Sequence, residues 1–295
     1  MATLKELKLR IGSVGSSEKI TGAMKMISSA KVHKEEQSLR RLKPFKDQIK
    51  SIMGHILSTG ENFNSPLIEP REVKKAGIVV YGSDDGLCGA YNINIFKGLL
   101  IEIDRLRDQY GQNLKLEIYP VGKKMAKAAG HLNDKDTEVI VPDGVDSKMT
   151  GETVTAFTKT LRDAFTGGEL DLVMTVYMDF KSMSRQTLTT EQLFPVTEKM
   201  LANDARDDDE NRLYIFEPDA NSIFNEVLPM FVMSTMQEIT VQNRASEQAA
   251  RVMAMQSAND NAKKLFDELQ LEYNKLRQQS ITTELLDILG GQVER

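Results

Sequence analysis

Between residues 4 and 57 the large apolar side chains return every three or four positions. Leu4, Leu7, Ile11 and Val14 open the rhythm, Ile20, Met24 and Ile27 resume it after a polar break, and Leu42, Phe45, Ile49, Ile52 and Ile56 carry it on. This spacing predicts one helix from about residue 3 to about residue 57, with a heptad-like seam and a stutter near Ser13 to Glu18. At 1.5 Å per residue it would be roughly 80 Å long. Gly60 and the segment FNSPLIEP close it.

The other end of the chain repeats the theme. After FEPDAN, where Asp219 and Asn221 offer caps, Pro229 is the only proline and no glycine appears before Gly290. Leu228, Val232, Met236, Ile239, Met253, Leu265, Leu269, Leu276, Leu285 and Ile288 supply apolar positions, and Ala250, Ala254, Ala258 and Ala262 fall four apart. The economical expectation is that the two long helices bury each other in an antiparallel coiled coil. Partner numbers would then add to about 279. Met24 would face Met255, and residues from 277 onward would project alone.

Between the helices the period changes. AGIVVYG, LKLEIYPVG, TEVIVP and LDLVMTVYMDF are short and nearly continuous in apolarity, and NINIFKGLLIEIDRLRDQY, KKMAKAAG and GETVTAFTKTLRDAF separate them with helical patterns. Strands alternating with helices argue for a mostly parallel, Rossmann-like sheet covered on both faces. The fold class read from the sequence is therefore α/β. A domain over residues 73–212 is inserted between coiled-coil helices over 1–58 and 220–290. DARDDDENR at its end reads as a solvated acidic loop.

Composition narrows the function classes. The chain has 295 residues, 15 Met, no Trp and only 6% aromatics, a mix suited to long helices. Cys88 is the single cysteine, so no internal disulfide is possible and no oxidising compartment is suggested. No apolar run approaches the roughly 20 residues of a membrane span, and the N-terminus lacks a signal-peptide pattern, so the expectation is a cytosolic, soluble chain. Net charge is −5, yet residues 1–60 carry 12 Lys and Arg against 5 Asp and Glu. A basic arm is joined to an acidic body.

YGSDDGLCGAYNINIF follows the first strand and invites an enzyme reading, because glycines between a strand and a helix often cradle phosphates. The fit is poor. No Gly-Lys-Ser/Thr is present, the glycines miss the dinucleotide spacing, and Asp84 and Asp85 would repel an anion. Cys88 as nucleophile has only His33, His55 and His131 to draw on, and a small residue in a tight turn is the plainer account. No metal spacing or paired-carboxylate site emerges, so no cofactor is expected. Nucleic-acid binding by the basic arm lacks both a long basic run and a stacking platform, since its aromatics are Phe45 and Phe63 alone. A coiled-coil tether carrying a nucleotide-binding α/β domain stays open as the alternative.

LKLRIGSVGSSEKITGAMKMISSAK, SDDGLCGAYNINIF and ASEQAARVMAMQSANDNAKKLFDELQLEYNKLRQQSITTELLDILGG closely resemble the γ subunits of ATP synthases, in order and over nearly the whole length. Residues 130–215 align weakly, and the glycines of GSVGSS depart from the family's larger polar residues. The resemblance implies a non-catalytic rotor axle, its coiled coil inserted in a head of three α and three β subunits. It also implies that the α/β domain sits with the ε subunit on a ring of membrane c subunits. The complex would hold the chain at the cytoplasmic face of the inner (plasma) membrane, as a peripheral subunit. The same resemblance puts Met24 near a catch on a β subunit, Arg251 at a head contact with its charge outward, and Arg277, Gln278, Thr282 and Glu284 in an upper contact. It puts Tyr214 and Glu217 near the polar loops of the c ring.

Overall fold

The computed structural model describes residues 3–59, 63–201 and 216–293. In chain order its elements are α1 (Leu4–Ser58), β1 (Lys75–Tyr81), α2 (Tyr91–Tyr110), β2 (Lys115–Val121), α3 (Lys123–Ala129), β3 (Thr137–Val139), α4 (Gly151–Thr166), β4 (Leu172–Ser182), β5 (Arg185–Phe194), α5 (Glu198–Leu201) and α6 (Ala220–Val293). The chain divides into two compact units, residues 30–250 and residues 1–29 with 251–295, and α1 and α6 contribute to both.

In the larger unit the strands form one sheet in the order β3-β2-β1-β4-β5, parallel throughout except that β5 runs antiparallel to β4. The period of two explains its two cores. Ile78 and Val80 of β1, with Met174 and Val176 of β4, pack on α2 and α3 through Ile95, Leu99 and Met125. Val79 and Tyr81, with Val173 and Tyr177, pack on the opposite side against Phe157 and Leu161 of α4 and against the two long helices. All four strands read from the sequence are present, as are the three helices between them. The hairpin partner β5 is an addition. Its polar, Thr-rich outer edge hid the strand pattern.

The long helices do not bury only each other. Ile49, Met53 and Ile56 of α1 and Leu228, Phe231, Val232, Met236 and Ile239 of α6 belong to the same core as the sheet. Each fully buried side chain of this size contributes about 1.5–3 kcal/mol. Together they outweigh the roughly 3 kcal/mol cost of a proline inside a helix, which is why α1 continues through Pro44 and α6 through Pro229. The ion pair Lys46–Glu238 also links the two helices in this unit.

In the smaller unit the helices pair antiparallel. Phe266 lies 3.3 Å from where a Cβ on Gly15 would stand, and Asn259 Nδ2 donates to the Glu18 carbonyl at 2.7 Å and to Thr21 Oγ1 at 3.2 Å. Gly15 with Phe266 and Thr21 with Asn259 make partner numbers add to 281 and 280, close to the expected 279. The same register puts position 255 opposite 25, one residue beyond Met24.

The seam has no stutter. Leu4, Leu7, Ile11, Val14, Glu18, Thr21, Lys25 and Ser28 follow an unbroken three-four alternation and all are at least half-buried. On α6, Val252, Met255, Asn259, Ala262, Phe266, Leu269, Tyr273 and Leu276 do the same. Ile20, Ile27, Met253 and Leu265, expected in the seam, are exposed. So is Phe45 in the larger unit. On α1 apolar bulk marks the wrong stripe where the heptad positions hold Glu18, Thr21, Lys25 and Ser28, and on α6 Met253 and Leu265 lie one position off Val252 and Phe266.

Gly98 of α2 sits where a Cβ would collide with the Leu188 side chain of β5. Helix and hairpin approach closely only because that atom is missing. Gly98→Val is expected to lower stability by about 1–3 kcal/mol, read by urea unfolding, and Leu188→Ala should recover most of the loss in the double variant. Additive losses would mean that the close approach is not the cause.

Candidate functional site: the strand-to-helix turn and the helix pair

The turn after β1 is built from the chain's own polar groups. Ser83 N–H donates to Asn92 Oδ1 at 3.0 Å, Asn92 Nδ2 donates to Ser83 Oγ at 2.7 Å, and Ser83 Oγ donates to the Asp85 carbonyl at 2.7 Å. Asp84 is buried, with Oδ1 accepting from Lys123 N–H at 2.9 Å and Oδ2 from Ser147 Oγ at 2.8 Å. Its carboxylate thus lies at the N-terminus of α3, where free N–H groups and the helix dipole favour an anion. The aspartate ties the turn after β1 to the start of α3. Leu87 and Gly89 hold φ of 64° and 61°, and Cys88 is buried between them. Its thiol receives Asn92 Nδ2 at 3.5 Å, so it packs as a small residue in a tight turn.

The same turn is bolted to α6. Tyr91 Oη donates to Asn243 Oδ1 at 2.6 Å, and Asn243 Nδ2 donates to the Gly82 carbonyl at 3.2 Å. One turn of helix further, Ser246 Oγ donates to the Met178 carbonyl at 2.9 Å, while Arg244 Nε donates to the Ser147 carbonyl at 2.8 Å. Tyr81 Oη and Thr240 Oγ1 are 3.2 Å apart, and burial pushes the Tyr81 phenol up to about 12, so it stays neutral and able to donate. Sequence reading missed Asn243. Its signal was the polar group Asn243, Ser246 and Glu247, which share one helical face.

The side chains singled out on the helices fall into three environments. Met24 is half-buried and flanks the seam position Lys25. Arg251 flanks Val252 but is only 6% exposed, so it does not carry its charge outward as expected. A guanidinium beside a coiled-coil seam can lay its stem over the apolar positions, and burial at this level is tolerable only with polar partners. Arg277, Gln278, Thr282 and Glu284 are exposed on α6 beyond Leu276, the last position that α1 can face in this register. Thr282 Oγ1 donates to the Gln278 carbonyl at 2.9 Å. Ile281, Leu285, Leu286, Ile288 and Leu289 are exposed on the same unpaired length, as expected of a projecting tip. Glu217 is exposed, and Tyr214 lies outside the described residues. These residues do not converge on one pocket.

Among the described residues no three His, Cys, Asp or Glu side chains lie close enough to share a metal ion, and no helix is long and apolar enough to cross a membrane. The family model described as ATP synthase matches residues 3–293. An ATP synthase gamma chain of Phocaeicola vulgatus is 38% identical over 296 residues, covering 99% of each chain. One from Cupriavidus metallidurans is 35% identical over 295 residues with the same coverage. Among solved structures, the rotor of the Euglena gracilis mitochondrial ATP synthase aligns with a TM-score of 0.63 at 18% identity, covering 94% of this chain and 98% of that one. At that identity the structural likeness speaks for the fold: a long helix pair carrying a mostly parallel sheet. With sequence similarity spanning the full length of both partners, the chain belongs to the ATP synthase gamma-chain family.

Proposed function

We infer that this chain is the central-stalk rotor subunit of an F-type ATP synthase. It transmits torque between a proton-driven c ring and a catalytic head of α and β subunits, and so couples proton translocation to ATP synthesis or hydrolysis. The observation that carries the reading is the full-length relation to ATP synthase gamma chains, 38% identical over 99% of both chains. The physical arrangement supports it. A rotating shaft needs two helices locked to each other, an outer surface without one tight binding orientation, and a rigid foot.

On this reading the chain performs no nucleotide chemistry, which belongs to the β subunits. The Gly-rich turn serves as a structural joint, tied to α3 through Asp84 and to α2 through Asn92. The partners are the α and β subunits, the ε subunit and the c ring. The chain reaches the membrane only through that ring, as a peripheral subunit at the cytoplasmic face of the inner (plasma) membrane. Arg277, Gln278, Thr282 and Glu284 on the unpaired end of α6 are the residues proposed to meet the head. Met24 contributes lower on the shaft, whereas Arg251, 6% exposed, acts from within the chain and not as an outward contact. Glu217, with Tyr214, is proposed to approach the c ring.

A tagged chain expressed in its own cell should retrieve α, β and ε subunits together. Recovery of nucleic acid, or of the chain alone, would contradict the rotor reading. Replacing Arg277 and Gln278 together by Ala should leave the free chain's stability within about 0.5 kcal/mol, because both side chains are exposed. In the assembled complex the same pair should lower ATP-driven proton pumping by roughly threefold or more, as removal of interfacial anchors does. Melting of the free chain and pumping in reconstituted vesicles are the two readouts. Unchanged pumping would remove these residues from the head contact.

A further inference from the structure

Apolar bulk and heptad phase disagree over one stretch of the helix pair. From Glu18 to Ser28, α1 turns Glu18, Thr21, Lys25 and Ser28 toward the seam and leaves Ile20 60% and Ile27 57% exposed. Over residues 18–28 alone, buried area would favour a turn of roughly 100° about the axis, one residue step, to bury Ile20, Met24 and Ile27 instead, although Leu4, Leu7, Ile11 and Val14 hold the present phase in the layers before it. Something directional must oppose that gain.

Asn259 is the side chain placed to do so. It occupies a seam position of α6 and donates across the seam to the Glu18 carbonyl at 2.7 Å and to Thr21 Oγ1 at 3.2 Å. A carbonyl inside a helix already accepts one bond from the next turn, so its second lone pair reaches a partner only from one side of the helix. Thr21 Oγ1 donates to the Ser17 carbonyl at 2.9 Å, which fixes the hydroxyl as an acceptor toward Asn259. Both bonds exist in one azimuth of α1, and any other leaves a half-buried amide without its partners. A polar side chain at a seam position costs stability and selects one arrangement.

We propose that Asn259 is the key that holds the azimuth of α1 over residues 18–28 in phase with the apolar layers before it, a positioning residue that keeps Ile20 and Ile27 outward as an apolar face. What meets that face rests on the rotor reading, in which it is the head; the azimuth itself does not depend on that reading.

The test uses the full chain with Cys88→Ala and one further substitution at a time, Ile20→Cys, Ile27→Cys or Ser28→Cys, followed by maleimide labelling rates. With Asn259 intact, positions 20 and 27 should label fast and position 28 slowly. Asn259→Leu should slow labelling at 20 and 27 by roughly threefold or more and speed it at 28, the scale that loss of a net hydrogen bond allows. Asn259→Ala, which removes both bonds and adds no volume, repeats the test if leucine lowers helicity by circular dichroism. Rates that stay unchanged in a helical variant overturn the proposal. Proton pumping by complexes carrying Asn259→Leu separates the two layers of the argument. Shifted labelling with undiminished pumping keeps the key and tells against the outward face as a head contact.

Discussion

The unbroken heptad shared by α1 and α6 is the constraint on which the rest depends. A three-four alternation fixes which face of each helix meets the other, and it holds even where its positions are Glu18, Thr21, Lys25 and Ser28. The layers from Leu4 to Val14 against Phe266 to Leu276 supply apolar area. The polar section beyond them supplies little area, and its specificity comes from Asn259. Burial within the helix pair has a visible cost elsewhere on α1, where desolvation pushes the Glu35 carboxyl up despite the nearby charges of Arg244 and Lys34.

The α/β unit solves a different problem, which is to hold its stretches of α1 and α6 firmly against a sheet. Its sheet is covered on both faces, and one of the two covers is the helix pair itself through Phe231, Val232 and Met236. The strand-to-helix turn shows how such a fold can be diverted from binding. In a phosphate-binding turn the backbone N–H groups wait for a ligand. Here Asp84 accepts from the first N–H of α3, and Asn92 closes the turn on Ser83. Tyr91 and Asn243 then tie that closed turn to α6.

Most of the architecture was legible in the sequence because it rests on period. The helix ends of α1 at Leu4 and Ser58, four strands and the antiparallel register within two residues all follow from spacing and breakers. Phase was harder than period. Ile20 and Ile27 misled because large apolar residues usually mark the buried face, whereas the face beside them carries Glu18, Thr21, Lys25 and Ser28; Met253 and Leu265 lie one position off the buried Val252 and half-buried Phe266. Arg251 was read outward because an unpaired buried guanidinium is costly, and its burial depends on neighbours that spacing does not reveal. β5 escaped because an edge strand with Thr187, Thr189 and Thr190 shows no core-facing alternation. Chemistry at the turn was legible only by exclusion, since the hydrogen bonds that fill it join Asp84 to residues 39 and 63 positions away.

If α1 and α6 turn as one shaft, a bond placed across their seam leaves rotation intact. Ile11 and Leu269 occupy seam positions that the observed register sets opposite each other. In a Cys88→Ala chain, Ile11→Cys with Leu269→Cys should oxidise to an intramolecular disulfide. The complex reassembled with the oxidised chain should still pump protons on ATP hydrolysis, because no motion between the helices is required. Failure of the disulfide to form would contradict the register. Formation of the disulfide with pumping lost until it is reduced would contradict the single shaft.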